Sequence, residues 1–388
     1  MKICNLFSSM IFLTSVFCFG VFPSFVGWIV PLGSFFFMIA LIPKIKYKGF
    51  LHWFPWMFLV LILGFLSPYD EAIHRALIIA TPICVGMIAS SFKWKDSDID
   101  WIIKLVNVSA FIFICIGIRD AISFGLGSLY GNQASAQTAV ALIWLLVIRY
   151  KIFGNIKNVS LAVVLEILLI LTVMRTCIFT GLLSLNVLLK EKLFSLKNIL
   201  LLIVVLILLA GLVSVPAISN KFFNKPISLN ELPNRLDSLN SNGRFHMWAL
   251  LVNGIREYPF FGHGANASED FLFRISKDFA HPHNEFLRIL FDYGFFGMAL
   301  FSYGFYRQVR RLYYLSGLLD EKRKKFIVQS ALWLFVPYFT LMTTDNILLY
   351  AAFILNIHFL FIGIAESFVP DLYKVEKIIP VHIQKASG

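Results

Sequence analysis

The feature that most constrains this chain is a near-continuous series of apolar stretches, each long enough to cross a lipid bilayer. A helical span needs roughly 20 mainly apolar residues to cross about 30 Å of hydrocarbon. With 59% hydrophobic and 14% charged residues, the chain falls outside the range of soluble globular domains. Because a backbone in lipid must satisfy its own polar groups, the spans are predicted to be α-helices. The expected fold is an all-α polytopic membrane protein.

The apolar runs predict about twelve transmembrane helices, so that both termini lie on the same side of the membrane. The predicted spans cover residues 6–22, 25–43, 50–67, 74–91, 103–124, 133–148, 159–174, 176–189, 198–217, 284–305, 326–342 and 346–364. The expected organisation is spans one to nine in residues 1–217, one large loop at 218–283, spans ten to twelve in 284–364, and a tail at 365–388.

The distribution of basic residues predicts the side of the membrane on which each connection lies. With a cytoplasmic N-terminus, the inner segments hold 23 of the 34 lysines and arginines and the outer segments hold 11. Such an excess marks cytoplasmic connections, which places both termini and the tail inside and the large loop outside. The first apolar run could be a cleaved signal peptide, but it is long and lacks a convincing small-x-small cleavage site. The net charge of +12 follows from this asymmetry, and no pattern of interleaved aromatics indicates nucleic-acid binding.

The loop at 218–283 is the region of the sequence with soluble character. A loop of this length in a tight bundle is usually functional. Its second part, from Gly243 to Arg256, has apolar residues at helical spacing. This pattern predicts an amphipathic helix that lies on the membrane or on the bundle.

Four ionisable residues are predicted on the outer face of the membrane: Arg175, Arg244, His283 and Asp345. Polar groups at this depth are costly and often functional. Simpler explanations stay open, since Arg175 could snorkel to headgroups, Asp345 could belong to a turn, and His281 and His283 could cap the next helix beside Asn284. The convergence of the four residues on one face is more informative than any one of them.

A group of cations on the outer face suits a diphosphate, because guanidinium groups bind phosphate oxygens in pairs and keep their charge when desolvated. A histidine beside them can accept a proton from a hydroxyl, since its free pKa is near 6.5. The sequence contains neither a phosphate-binding glycine-rich loop nor a credible metal cluster. We therefore expect neither a nucleotide nor a metal cofactor.

Several short motifs, in this order, resemble those of the O-antigen ligase and polymerase superfamily. They are Thr172-Val-Met-Arg-Thr176, Asn242-Gly-Arg244, Tyr258-Pro-Phe-Phe-Gly-His-Gly264, His281-Pro-His-Asn-Glu285 and Gly294-Phe-Phe-Gly297. The strongest of them is the His-x-His-Asn-x-x-Leu element that begins at His281. The layout of the chain is similar over most of its length, but the specific matches lie in residues 172–176 and 242–297.

This resemblance implies a C-type glycosyltransferase of the bacterial inner membrane, which takes glycan from undecaprenyl diphosphate on the periplasmic side. Ligases of the superfamily transfer it to a sugar hydroxyl of lipid A-core, polymerases to another lipid-linked repeat, and a third branch to protein hydroxyls. One large arginine-bearing loop is similar to the ligases. The R-x10-G spacing of polymerase loops occurs here as Arg75 to Gly86, inside a predicted span, so we expect a ligase.

The resemblance also implies roles for individual residues. Arg175 and Arg244 match the two essential arginines, which would neutralise the departing diphosphate, and His283 matches the histidine that would take the proton of the acceptor hydroxyl. This is a single, inverting displacement. Candidate substrate-binding residues are Asp345, a looser match, and His281, Asn284, Arg256, Arg274 and Lys277. The alternative from another class is a transporter or flippase of lipid-linked sugars, which should show polar residues near the bilayer midplane and repeated halves.

The charge asymmetry makes the topology testable. We expect a cysteine placed near Ser238 to react with a membrane-impermeant thiol reagent from the periplasm, while reporters on both termini and in the connection from Arg307 to Lys325 report the cytoplasm. Labelling near Ser238 only after the inner membrane is permeabilised would reverse the predicted orientation.

Overall fold

A computed structural model describes residues 3–17, 32–38, 49–124, 133–172, 174–188, 243–275, 277, 281–350 and 354–369. Within these ranges the chain is helical and forms no strand. The all-α fold is thereby confirmed for this part of the chain. The predicted span at 198–217, the first part of the loop at 218–242 and most of the tail lie outside the described residues, and the number twelve stays a prediction.

The helices have the following bounds. They are α1 (Ile3–Phe17), α2 (Phe54–Leu66), α3 (Ala72–Ser91), α4 (Asp96–Phe124), α5 (Gln133–Phe153), α6 (Ile156–Thr172), α7 (Arg175–Leu182), α8 (Arg244–Ile255), α9 (Ala267–Ile275), α10 (Glu285–Leu318), α11 (Lys322–Trp333), α12 (Phe335–Thr344) and α13 (Ile354–Ser367). A 3-10 turn precedes α2 at Leu51–Trp53, and another extends α7 over Leu183–Leu188.

Four helical stretches of the described residues are long and apolar enough to cross a membrane: Ala72–Ser91, Asp96–Asp120, Ser135–Phe153 and Lys322–Thr344. They support the prediction of a membrane protein. The first and third are each 72% buried, while the second is 39% buried. Helices α3 and α5 therefore lie inside the bundle, and α4 lies at its periphery.

Glycines allow α3 and α13 to pack in close contact. A Cβ atom on Gly363 would collide with the carbonyl oxygen of Gly86, and one on Gly86 would lie 2.6 Å from the ring of Phe50. Close backbone approach at small residues is a common way for membrane helices to associate, because lipid provides little hydrophobic drive between them. Gly86 is the glycine of the R-x10-G spacing, so its place here is explained by packing.

Helix α10 is bent at Gly294, whose backbone is left-handed with φ 65° and ψ −171°. The loop Pro259–Gly264 lies in this bend. The amides of Phe295 and Phe296 donate to the carbonyls of Pro259 and Phe260, at 2.8 and 3.0 Å.

The same loop also satisfies the carbonyls on the other side of the bend. The amides of His263 and Gly264 donate to the carbonyls of Phe291 and Asp292, at 2.9 and 3.0 Å. In a regular helix, residues 291 and 292 would instead pair with residues 295 and 296. The loop thus replaces the hydrogen bonds that the bend removes, which keeps these buried backbone groups paired. The Tyr258-to-Gly264 and Gly294-to-Gly297 motifs are two halves of one structural joint.

This joint yields a stability prediction with a matched control in the same helix. A Cβ atom on Gly294 would collide with the carbonyl of Phe260, and the left-handed backbone disfavours any residue with a side chain. We expect Gly294→Ala to lower the free energy of unfolding by about 1–3 kcal/mol. Gly317 has open space around its Cα, so Gly317→Ala should leave stability unchanged or raise it slightly.

Thermal unfolding of the detergent-solubilised variants measures both effects. Equal melting temperatures for the two variants would mean that the bend does not require glycine.

Candidate functional site

Segments that are far apart in sequence meet at one end of the bundle. Ser67 Oγ donates to the carbonyl of Ala265 at 2.7 Å, and the side-chain amide of Asn266 donates to the carbonyl of Asp70 at 2.9 Å. These contacts join the large loop at 218–283 to the α2–α3 connection. The contacts of Arg244 and His283 described below join the same loop to the α12–α13 connection.

The two predicted arginines each stand at the first residue of a helix. Arg175 begins α7, and Arg244 begins α8 after the left-handed Gly243, φ 76°. Arg244 Nη1 donates to the carbonyl of Thr344 at 2.8 Å. The Oγ1 atoms of Thr176 and Thr344 lie 2.7 Å apart. The end of α12 therefore holds both helix starts in place.

Both arginines are partly buried, and they lie close enough to repel each other electrostatically. Burial lowers the pKa of the Arg244 guanidinium from its usual value, while the nearby carboxylate of Asp345 raises it. Two guanidinium groups that approach each other in a partly desolvated site form a natural binding place for an anion with several oxygens.

His283 is held in an unusual backbone conformation, with φ 51°. Its amide donates to Asn346 Oδ1 at 2.8 Å, and its Nδ1 lies 3.1 Å from Asn346 Nδ2. The indole of Trp248 donates to the preceding carbonyl, that of Pro282, at 2.9 Å. Desolvation by burial, together with the positive charge of Arg244 and the neighbouring His281, lowers the pKa of His283 to about 4. The imidazole is therefore neutral near neutral pH.

Asp345 is 1% exposed and lies directly before Asn346. Its Oδ1 accepts the Asn346 backbone amide at 2.7 Å. Its Oδ2 is buried and accepts no hydrogen bond from the residues that the structure describes, and Gln137 approaches Asp345 without normal hydrogen-bond geometry. Burial raises the pKa of Asp345 to about 6, so that its carboxylate is ionised but readily protonated near neutral pH.

A buried ion cluster lies beside these residues, centred on Arg288 of α10. Arg288 Nη2 lies 3.4 Å from Glu269 of α9, and Glu285 and Asp292 flank it on its own helix at 3.8 and 3.7 Å. Glu269 also contacts Arg75 of α3 at 3.4 Å. Burial of Glu269 opposes its ionisation, but the charges of Arg288 and Arg75 outweigh that effect and lower its pKa to about 2. The cluster thus joins the loop to the bundle.

The remaining predicted residues occupy different places. His281 contacts Glu269 at 3.2 Å and belongs to the ion cluster. Asn284 caps α10, because its Oδ1 accepts the amide of Leu287 at 3.1 Å. Three further predicted residues are exposed: Arg256, Arg274 and Lys277. Arg274 pairs with Asp270 on its own helix at 2.7 Å.

Sequence reasoning did not identify Asn346, Glu269 or Arg288. Arg288 could have been found, since Glu285 and Asp292 stand three residues before and four residues after it and so share its helix face. Asn346 follows Asp345 directly, but nothing local indicates that its amide contacts a histidine 63 residues earlier.

A model of the O-antigen ligase family matches residues 161–302. The match supports membership of the chain in the O-antigen ligase superfamily. The matched range contains Arg175, Arg244 and His283, while Asp345 and Asn346 lie beyond it. No curated protein matches the chain. Together with the four apolar helices, the family indicates a multi-pass membrane protein with a glycosyltransferase-like activity on lipid-linked glycans.

The ion cluster predicts a large difference between two neighbouring carboxylates of α9. Glu269→Gln removes the buried carboxylate that Arg288 and Arg75 share, which leaves Arg288 only the longer contacts with Glu285 and Asp292. It should lower the free energy of unfolding by on the order of 3 kcal/mol at pH 7. Asp270→Asn removes only the partner of the exposed Arg274 and should cost less than about 1 kcal/mol.

Chemical or thermal unfolding in detergent compares the two variants. The pKa of Glu269 is lower in the folded protein than its unfolded value of about 4.5. Its stabilisation of the fold is therefore complete above pH 4.5 and is lost as the pH falls toward 2. Equal stability of the two variants at pH 7 would show that the cluster is not a structural centre.

Proposed function

We propose that this protein is an O-antigen ligase. It transfers glycan from undecaprenyl diphosphate to a sugar hydroxyl of lipid A-core at the periplasmic face of the bacterial inner membrane. The observation that carries this proposal is the approach of Arg175 and Arg244 in a partly buried site, beside His283 and Asp345. The mutual repulsion of the arginines is relieved when a diphosphate binds between them, because each guanidinium can hold phosphate oxygens in pairs.

The reaction needs no further activation, because the donor already carries a good leaving group. The oxygen of the acceptor hydroxyl forms a bond to the anomeric carbon as the bond from that carbon to the diphosphate oxygen breaks. The electron pair leaves on undecaprenyl diphosphate, where Arg175 and Arg244 stabilise the added charge. The hydroxyl proton must go to a base, and the site offers two candidates, His283 and Asp345.

Two observations favour a ligase over a polymerase. The two residues of the polymerase-like spacing have structural roles here: Arg75 contacts Glu269 at 3.4 Å, and Gly86 packs against Gly363. The loop arginine that reaches the site is Arg244. A protein-directed transferase of the same superfamily would use the same donor chemistry and is distinguished by its acceptor.

A flippase would require a polar path through the middle of the bundle. The helices do bury ionisable residues, including Glu166 and His358. However, His358 donates to the carbonyl of Ala331 at 2.8 Å between α13 and α11, whereas Glu166 faces Gly181 between α6 and α7. Within the described helices these two residues lie between different helix pairs, which gives no support to a single polar path and favours the enzyme.

Substitution of Arg175 tests the proposal. Arg175→Lys keeps the charge but loses the paired donors, so O-antigen attached to lipid A-core should fall by on the order of a hundredfold at normal protein level. Arg119→Lys is the matched control, since Arg119 is 66% exposed and pairs with its neighbour Asp120. It should leave lipopolysaccharide unchanged.

Gel analysis of lipopolysaccharide, alongside the lipid-linked pool, distinguishes the alternatives. A ligase defect leaves bare core and polymerised chains on undecaprenyl diphosphate. Core that carries a single repeat would instead indicate a polymerase, and single repeats retained on the cytoplasmic face would indicate a flippase. Full activity of Arg175→Lys would show that a simple positive charge suffices.

A further inference from the structure

Asn346 holds His283 through two hydrogen bonds whose directions are fixed by chemistry. A backbone amide can only donate, so the Asn346 atom that lies 2.8 Å from the His283 nitrogen must be the oxygen Oδ1. The other end of the side-chain amide is then its NH2 group, which can only donate. This group lies 3.1 Å from His283 Nδ1, and Nδ1 must therefore accept.

A neutral imidazole that accepts at Nδ1 carries its proton on Nε2. The lowered pKa of His283, about 4, means that this neutral ring is present near neutral pH. Nε2 then offers an N–H group as a donor and has no basic lone pair, so it cannot accept a proton. The lone pair of Nδ1 is already occupied by Asn346.

The surroundings keep both partners of this contact in place. Asn346 is 1% exposed, and its backbone carbonyl accepts the amide of Leu349 at 3.1 Å. On the other side, Trp248 holds the carbonyl of Pro282. The left-handed backbone of His283 is unfavourable for a residue with a Cβ atom, so it persists because these bonds support it.

We propose that Asn346 is a positioning residue that fixes His283 as a neutral hydrogen-bond donor to an oxygen of the lipid diphosphate. This inference rests on the proposed transferase function and deepens it. Arg244 bonds the carbonyl of Thr344, two residues before the Asn346 that holds His283, so the guanidinium group and the imidazole N–H serve the same anion. A neutral N–H group stabilises the charge that develops on the departing diphosphate and neither gains nor loses a proton.

The proton of the acceptor hydroxyl then goes to Asp345. The buried Oδ2 of Asp345 accepts no hydrogen bond within the described part of the chain, and Asp345 lies within electrostatic reach of Arg244. The balance of the transfer is otherwise unchanged: one carbon–oxygen bond forms, one breaks, and the electron pair leaves on the diphosphate.

The elements around His283 carry several charged or titratable groups. Arg244 on α8 and His281 on the same segment act on it directly. Glu285 follows it at the start of α10, and Asp345 stands beside Asn346 on the α12–α13 connection. The first test therefore replaces the ring without adding charge to the site, which glutamine does.

The first experiment compares His283→Gln with His283→Asn and His283→Ala. The amide nitrogen of glutamine reaches about as far from the backbone as Nε2 and can donate, but it cannot act as a base, while that of asparagine reaches only as far as Nδ1. We expect Gln to retain ligation within about tenfold of wild type, and Asn and Ala to lose at least about a hundredfold. Gln as inactive as Ala would overturn the donor role.

A second experiment uses Asn346→Asp, with reconstituted protein assayed at alkaline pH. The new carboxylate still accepts the His283 backbone amide, but its second oxygen attracts the proton to Nδ1 and leaves a lone pair on Nε2. We expect this variant to lose at least about a hundredfold in rate, because the N–H donor is lost. Retained or increased activity would show that His283 is the base, since the introduced carboxylate would then complete a carboxylate–histidine pair.

The two proposals fail in different ways. If wild-type protein does not transfer glycan from undecaprenyl diphosphate to lipid A-core, the proposed function is wrong. If wild-type protein transfers glycan and His283→Gln does not, the donor role of His283 is wrong while the function stands.

Discussion

The exchange of backbone hydrogen bonds between the loop Pro259–Gly264 and the bend of α10 is the interaction on which the rest of the site depends. A helix inside a membrane protein cannot leave buried amides and carbonyls unpaired, so α10 can bend at Gly294 only if another segment supplies partners. The loop supplies four of them. Because the loop is fixed there, α8 and α9 on either side of it are placed against the first turns of α10, which begin two residues after His283.

The ion cluster adds a second connection between the same parts. Arg288 lies on the turns of α10 before the bend, and its partner Glu269 comes from α9. Through Arg75, Glu269 also reaches α3, a helix that is buried inside the bundle. The cluster and the bend therefore act on the same short stretch of α10. A disturbance of either is expected to move His283, although neither contacts the proposed substrate.

Much of the architecture follows from local patterns in the sequence. The apolar runs predicted the transmembrane stretches of α3, α4 and α5, because length and hydropathy are properties of adjacent residues. The distribution of basic residues also predicted that Arg244 and Asp345 lie on the same face of the membrane, and Arg244 bonds the carbonyl of Thr344, the residue before Asp345.

Other features depend on contacts that no local pattern encodes. The assignment of a proton to one nitrogen of His283 depends on the amide of Asn346, and an isolated sequence does not reveal which residue faces a ring. In the sequence, the two phenylalanine–glycine motifs contribute only to the resemblance to the superfamily. Their role as a joint becomes visible only when Gly262 and Gly294 are seen to meet the opposite backbone.

The separation of Asn346 from His283 along the chain has a consequence for biosynthesis. A ribosome delivers residues in order, so Arg175, Arg244 and His283 are all in place before their last partner has been made. Until the segment after α12 has left the ribosome and folded back, the imidazole lacks the contact that sets its proton. A nascent or C-terminally truncated chain can therefore insert most of its helices and still be inert toward its lipid carrier.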